Sequence, residues 1–259
     1  MSMATDLFGL DGRTALVTGG SRGLGLQIAE ALGAQGARVL ISSRKADSLE
    51  SAQEHLSGLG VKAEWIAADC SKEDEVVRLA EEAVERLGTV DILVNNAGAT
   101  WGARTEDHPL AAWDKVMNLN VRSLFLLSQQ IGKLSMIPAG SGRILNLASI
   151  AGLRGNGPSS TKTIAYNTSK AAVINFTRAL AAEWAPHGIN VNALAPGFFP
   201  SDMTRGTLAN RLDQVVARVP QGKIGDGEDL KGAALLFTSD AGKHITGQVL
   251  AVDGGATAI

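Results

Sequence analysis

The sequence predicts an α/β protein: a doubly wound parallel sheet of about seven strands with helices on both faces, formed by residues 1–259 as one domain. Three observations carry that prediction. Short aliphatic, β-branched runs alternate with longer segments of helical periodicity along the whole chain. Strands and helices at this spacing require right-handed crossovers and a sheet covered on each face. Apolar residues make up 45% and charged residues 19%, enough for a large core and against disorder.

The first strand is predicted over 13–18, followed by glycines and a helix over 24–35 that Gly36 stops. A second strand over 38–42, a helix over 46–59 and a third strand over 63–67 follow. Ser71-Lys-Glu-Asp74 resembles a capping box ahead of a helix over 76–87, which Gly88 ends. The fourth strand is expected over 90–94 and the fifth over 143–147, separated by a helix over 110–134 with a kink near its start. A long amphipathic helix over 165–185 closes at Pro186-His-Gly188. Strands over 190–194 and 249–252 complete the sheet.

Composition removes several classes of function. With 24 basic and 26 acidic side chains the net charge is −2, and no basic block offers a footprint for nucleic acid. A single cysteine, Cys70, excludes an intrachain disulfide framework. No apolar run is long enough for a membrane span, and the first residues lack the basic and apolar stretches of a secretory leader. The expected setting is the cytoplasm. The histidines at 55, 108, 187 and 244 have no ligand spacing and no Cys/His cluster exists, so no metal site is expected.

Thr18-Gly-Gly-Ser-Arg-Gly-Leu-Gly25 lies between the first strand and the first helix. Glycines at 19, 23 and 25 allow a tight turn and close approach of the backbone to a ligand. The helix behind aims free amides and a positive dipole end at a pyrophosphate. The spacing departs from the Gly-x-Gly-x-x-Gly fingerprint, yet its strand-to-helix setting points to a dinucleotide. Gly19-Gly-Ser-Arg-Gly23 also matches a hydrolase nucleophile elbow at Ser21, but too few strands precede it to build an oxyanion loop. At the end of the second strand an acid would hold the ribose of NAD. Ser42-Ser-Arg-Lys45 stands there instead, and Arg22 and Arg44 suit the 2′-phosphate of NADP(H).

Tyr166 is the only tyrosine, and Lys170 follows it by four, on one face of a helix. A free phenol is a poor proton donor at neutral pH. An ammonium about 5 Å from the phenolate would contribute about 3 kcal/mol at an effective dielectric of 20, or about two pKa units. The pair could then protonate a carbonyl oxygen as hydride reaches carbon.

Together these motifs resemble the single-domain branch of the short-chain dehydrogenase/reductase family. The markers run in family order: the glycine loop, Asp69, Asn95-Asn-Ala-Gly98, Asn120, Ser149, Tyr166-Asn-Thr-Ser-Lys170, Pro196-Gly197 and Val252-Asp-Gly-Gly255. The resemblance spans roughly residues 10–253 and implies a Rossmann fold and NADPH-dependent reduction of a ketone. Ser149 would hydrogen-bond the substrate oxygen, while Asn120 would hold a water linking Lys170 to solvent. Gly19, Ser21, Arg22, Gly23, Leu24 and Gly25 would cradle the dinucleotide, with Ser43 and Arg44 at its ribose. Asp69 and Cys70 would lie at the adenine, and Asn96, Ala97 and Gly98 beside the cofactor. Tyr166 and Lys170 would also touch the cofactor ribose, with Pro196, Gly197 and Ser201 at the nicotinamide.

Among substrates the resemblance favours a 3-oxoacyl thioester, with a ketogluconate-like sugar ketone next and a small cyclic ketone after that. Its C-terminal motif implies a homotetramer. An idle NADPH-binding sensor would have no use for Tyr166, Lys170 and Ser149 together. Ser149 and Tyr166 stand farther apart than is usual in the family, and the extra length falls within 157–163, beside the active site.

Overall fold

The computed structural model describes residues 7–157 and 160–259; the leader reading at the amino terminus and two positions of the 157–163 insertion, Pro158 and Ser159, lie outside the described residues. Seven strands form one parallel sheet: β1 (Thr14–Thr18), β2 (Arg38–Ser43), β3 (Ala63–Ala67), β4 (Ile92–Asn95), β5 (Gly142–Leu147), β6 (Ile189–Pro196) and β7 (Val249–Val252). Their order is β3-β2-β1-β4-β5-β6-β7, so the winding reverses between β1 and β4. That crevice, at the carboxyl ends of the strands, is where ligands bind in open α/β sheets.

Alternate strand residues feed two cores. Val17, Ile41 and Val94 pack on one face against α1 (Gly23–Ala34), α2 (Ala46–Gly58) and α9 (Lys231–Thr238). Leu16, Leu40 and Leu93 pack on the other against α3 (Glu73–Leu87), α5 (Ser123–Ile131) and α7 (Ile164–Trp184). Between those helices lie α4 (Leu110–Met117), the short α6 (Ile137–Ala139) and α8 (Arg205–Val216).

Two local expectations are corrected. Ser71 does not cap α3: its N–H and hydroxyl both donate to Asp69 Oδ1, at 3.0 and 2.8 Å, and the helix begins at Glu73 behind Lys72. Strand β4 begins later than expected. Val90 N donates to Ser135 Oγ at 2.8 Å, and the Asp91 carboxylate accepts from Thr14 N at 2.9 Å, so these two residues brace the strand's entry. The kink expected in the 110–134 helix is a π-helical segment, Asn118–Arg122, between α4 and α5. A second π segment, Gly132–Met136, carries the helix on into α6.

Candidate active site

The glycine loop is shaped by steric need. Gly19 has φ +63°, and a Cβ there would sit 2.7 Å from the Asn96 amide. A Cβ on Gly25 would sit 2.3 Å from the Gly19 carbonyl oxygen, because α1 begins directly against the loop. Only glycine leaves this cradle open to a ligand. Arg22, Gly23 and Leu24 turn the chain into α1, whose N-terminal amides have no capping side chain to satisfy them. Ser21 is half-buried at the same turn. The hydrolase alternative fails on topology. Ser21 follows the carboxyl end of β1, whereas His187 and His244 precede the starts of β6 and β7 at the opposite edge.

Asn96 is a strut for that loop. Its Nδ2 donates to Thr18 O at 2.9 Å and Gly19 O at 3.1 Å. The Thr18 hydroxyl accepts from the amides of Asn96 and Ala97, at 3.0 and 3.1 Å, and donates to Val94 O. Thr18 thereby staples β1 to β4 at the switch point, with Gly98 just beyond. Sequence reasoning missed Thr18, although it heads the quoted glycine motif.

Where the adenine end is expected, Ser43 and the exposed Arg44 close β2. Burial opposes charge on the Asp69 carboxyl. Hydrogen bonds from Ser71 and the nearby Arg44 and Lys72 charges nevertheless hold its pKa below the usual range. Cys70 is a packing residue: burial and the Asp69 charge push its thiol up to about 11. Arg22, expected at a 2′-phosphate, forms an ion pair with Asp202, and Arg205 binds the same carboxylate. Asp202 was not foreseen; it directly follows Ser201 in the loop beyond Pro196 and Gly197. Ser201 faces the glycine loop, its Cβ 3.8 Å from where a Cβ on Gly23 would stand. Its hydroxyl lies 3.0 Å from that of Thr204.

The predicted catalytic residues Ser149, Tyr166 and Lys170 lie between β5 and α7. Ser149 follows β5 and takes a hydrogen bond from Ala151 N at 3.1 Å. Burial pushes the Tyr166 phenol above its ordinary pKa, and a hydrogen bond with the Ser149 side chain pulls it only part of the way back. Lys170 is 5% exposed. Its Nζ donates to Leu147 O at 2.6 Å and stands 5.6 Å from the Tyr166 ring centroid. Burial lowers its pKa to about 8. The phenol stands above its ordinary value beside Lys170, which corrects the expectation that the lysine depresses it. The two residues do share a helix face, but the ammonium is turned onto a β5 carbonyl.

Asn120 lies in the π segment and is 1% exposed. Its Oδ1 accepts from Ala99 N at 2.8 Å, and its Nδ2 donates to Ala99 O and Ser169 Oγ, each at 2.9 Å. Ser169 Oγ donates in turn to Tyr166 O at 2.8 Å, joining the π segment to α7. Ser169 was missed too, although it lies three residues after Tyr166 inside the quoted motif.

Comparison with known proteins agrees with this geometry. A family model described as Enoyl-(Acyl carrier protein) reductase matches residues 19–257. The chain is 40% identical over 258 residues to the gluconate 5-dehydrogenase of Gluconobacter oxydans, covering 97% of each. It is 42% identical over 254 residues to the rhamnolipids biosynthesis 3-oxoacyl-[acyl-carrier-protein] reductase of Pseudomonas aeruginosa, covering 96% of this chain and 97% of that protein. The crystal structure of a gluconate 5-dehydrogenase from Burkholderia cenocepacia, in complex with NADP and tartrate, superposes with a TM-score of 0.93. That pair is 33% identical, with 99% of this chain and all of the other covered. A Rossmann sheet with a glycine cradle at its switch point and a Ser149, Tyr166, Lys170 cluster beside it is thus matched from end to end, and the chain belongs to the short-chain dehydrogenase/reductase family.

Proposed function

We propose that the protein is an NADPH-dependent ketone reductase. The observation that carries this reading is the buried Lys170, its Nζ 5.6 Å from the ring of Tyr166, whose phenol shares a hydrogen bond with the Ser149 side chain. Two neighbouring hydroxyls suit a carbonyl oxygen that gains charge as its carbon is reduced. The glycine cradle fits a dinucleotide, and the carboxylate-free end of β2 with Arg44 favours the 2′-phosphorylated form. When bound, the dinucleotide supplies the hydride.

Tyr166 gives its phenolic proton to the ketone oxygen while Ser149 donates a hydrogen bond to the same atom. Lys170, its pKa lowered by burial to about 8, is suited to return a proton to the phenolate. Both amide hydrogens of Asn120 are spent on Ala99 O and Ser169 Oγ, so a relay water held by this residue would donate to it and not accept from its amide. A 3-oxoacyl thioester is the first substrate to test. A ketogluconate-like sugar ketone is the second reading, favoured by the likeness to gluconate 5-dehydrogenases.

The reading places the enzyme in the cytoplasm; no helix among the described residues is long and apolar enough to cross a membrane. It includes a homotetramer. Phe125 of α5, 47% exposed, stacks edge-on with Phe176 of α7 at 6.4 Å and leaves an apolar surface for a second copy. Light scattering during size exclusion is expected to give four times 26.9 kDa, and a monomer mass would remove that part.

The deciding experiment is cofactor oxidation, NADPH beside NADH, against 3-oxoacyl thioesters, ketosugars and simple ketones. Turnover confined to NADPH, and reduced about 10³-fold in Tyr166→Phe, is the expected result. Tight NADPH binding with no carbonyl reduced would favour the sensor.

A further inference from the structure

Residues 150–157 follow Ser149, itself two residues beyond β5, and residues 160–164 lead into α7 two residues before Tyr166, so connectivity alone sets both stretches against the catalytic pair. Amides hold its shape. Asn156 Nδ2 donates to Thr161 O and Thr163 Oγ1, each at 3.0 Å, and Thr163 Oγ1 donates to Asn167 Oδ1 at 2.9 Å. Asn167, the neighbour of Tyr166, donates to Ala151 O at 2.8 Å and to Arg154 O at 3.5 Å. Two more loops join this wall. Ala103 N donates to Lys162 O at 3.0 Å, and Arg218 Nη1 donates to Ser160 Oγ at 3.0 Å.

The charge of this rim leans positive. Residues 150–164 contain Arg154 and Lys162 and no carboxylate; residues 201–221 contain Arg205, Arg211 and Arg218 against Asp202 and Asp213; residues 99–109 contain Arg104, paired with Glu106, and Asp107. A chain of net charge −2 therefore sets six cations against four carboxylates on the segments flanking its site. One of those carboxylates, Asp202, is already shared between Arg22 and Arg205. Arg154 is exposed, and its guanidinium has no hydrogen bond or ion pair among the described residues. A mouth with an excess of one sign of charge, and one cation left without a partner, attracts ligands of the other sign.

We propose that this rim selects an anionic ketone, one bearing a carboxylate or phosphate away from its carbonyl, and that Arg154 is a specificity-determining residue that reads the charge. The proposal rests on the ketone-reductase reading and narrows its substrate class. An oxo sugar acid and an oxoacyl thioester of coenzyme A both carry such a charge.

The test uses matched pairs on the full chain: 5-ketogluconate with its neutral amide, and a 3-oxoacyl-CoA with the uncharged N-acetylcysteamine thioester. The charged member is expected to have the higher kcat/KM. Its advantage should shrink by about fivefold between about 20 mM and about 500 mM salt. Arg154→Gln should cut that advantage about threefold through KM, and Arg154→Glu should cut it further. The pair that responds identifies the source of the anion. A charged-to-neutral ratio indifferent to salt and unchanged in Arg154→Glu, in both pairs, overturns the proposal; the salt series needs no variant to fold. If no ketone is reduced, titration calorimetry of acid and amide onto the NADPH complex separates the two ideas. Preference for the acid there keeps the selector and discards the reductase, whereas equal binding discards the selector.

Discussion

Tyr166 is the only tyrosine, so its ionisation can be read directly from phenolate absorbance. Without cofactor it should titrate above the ordinary value of 10.0, because burial outweighs the Ser149 hydrogen bond. Ser149→Ala should move the midpoint higher still; a lower midpoint would contradict the contact. Lys170 makes a linked prediction about stability. Its pKa is about 8 when folded and 10.5 as a free side chain, so between these values the unfolded chain holds more proton. Stability from this group therefore rises with pH through that window and is lost as pH falls through about 8. Relative to Lys170→Met, the parent protein should gain about 3 kcal/mol across the window in urea melts. A constant difference between the two proteins would show that Lys170 titrates normally.

At the scale of elements, the glycine loop and the π segment make separate predictions. Gly25→Ala places a methyl against the Gly19 carbonyl and must push α1 off the loop. NADPH affinity, followed by nucleotide fluorescence, should fall by at least about tenfold, the equivalent of about 1.4 kcal/mol. Unchanged affinity would mean that the loop is not the phosphate cradle. Asn120→Ala leaves the Ala99 amide and carbonyl without their side-chain partner inside the π segment. Its cost in urea denaturation should be about 2–4 kcal/mol, whatever its effect on turnover. These elements differ in how readable they were. The cradle follows from glycine spacing between a strand and a helix. The π segment did not, because an extra residue in a helical turn barely alters apolar periodicity; only a kink was legible.

Across the whole molecule, the sheet order brings the ends of β1, β4, β5 and β6 to one edge, so cofactor binding should stabilise the fold as a unit. A ligand at a hundred times its Kd adds about 2.7 kcal/mol to the stability of the form that binds it. NADPH should thus raise the melting temperature more than NADH at equal concentration. An equal rise would remove Arg22 and Arg44 from cofactor discrimination. The Arg22–Asp202 ion pair sharpens this test, because Asp202→Asn frees Arg22 and should widen the NADPH advantage.

The sequence alone determined the seven strands, the helices between them, the glycine turn and the Tyr166–Lys170 helix face. Each is written in local periodicity or in a steric demand that only a few neighbouring residues must satisfy. The tertiary structure decided which distant groups meet. It set Thr18 against Asn96 and Ala97, Asn120 against Ser169, Arg22 against Asp202, and Arg218 against Ser160. It also turned Lys170 toward Leu147 instead of the Tyr166 hydroxyl. The physical reason is that such partners lie tens of residues apart. Parallel crossovers carry them to one end of the sheet, and there packing and the need to satisfy buried polar groups choose among neighbours that no stretch of sequence places side by side.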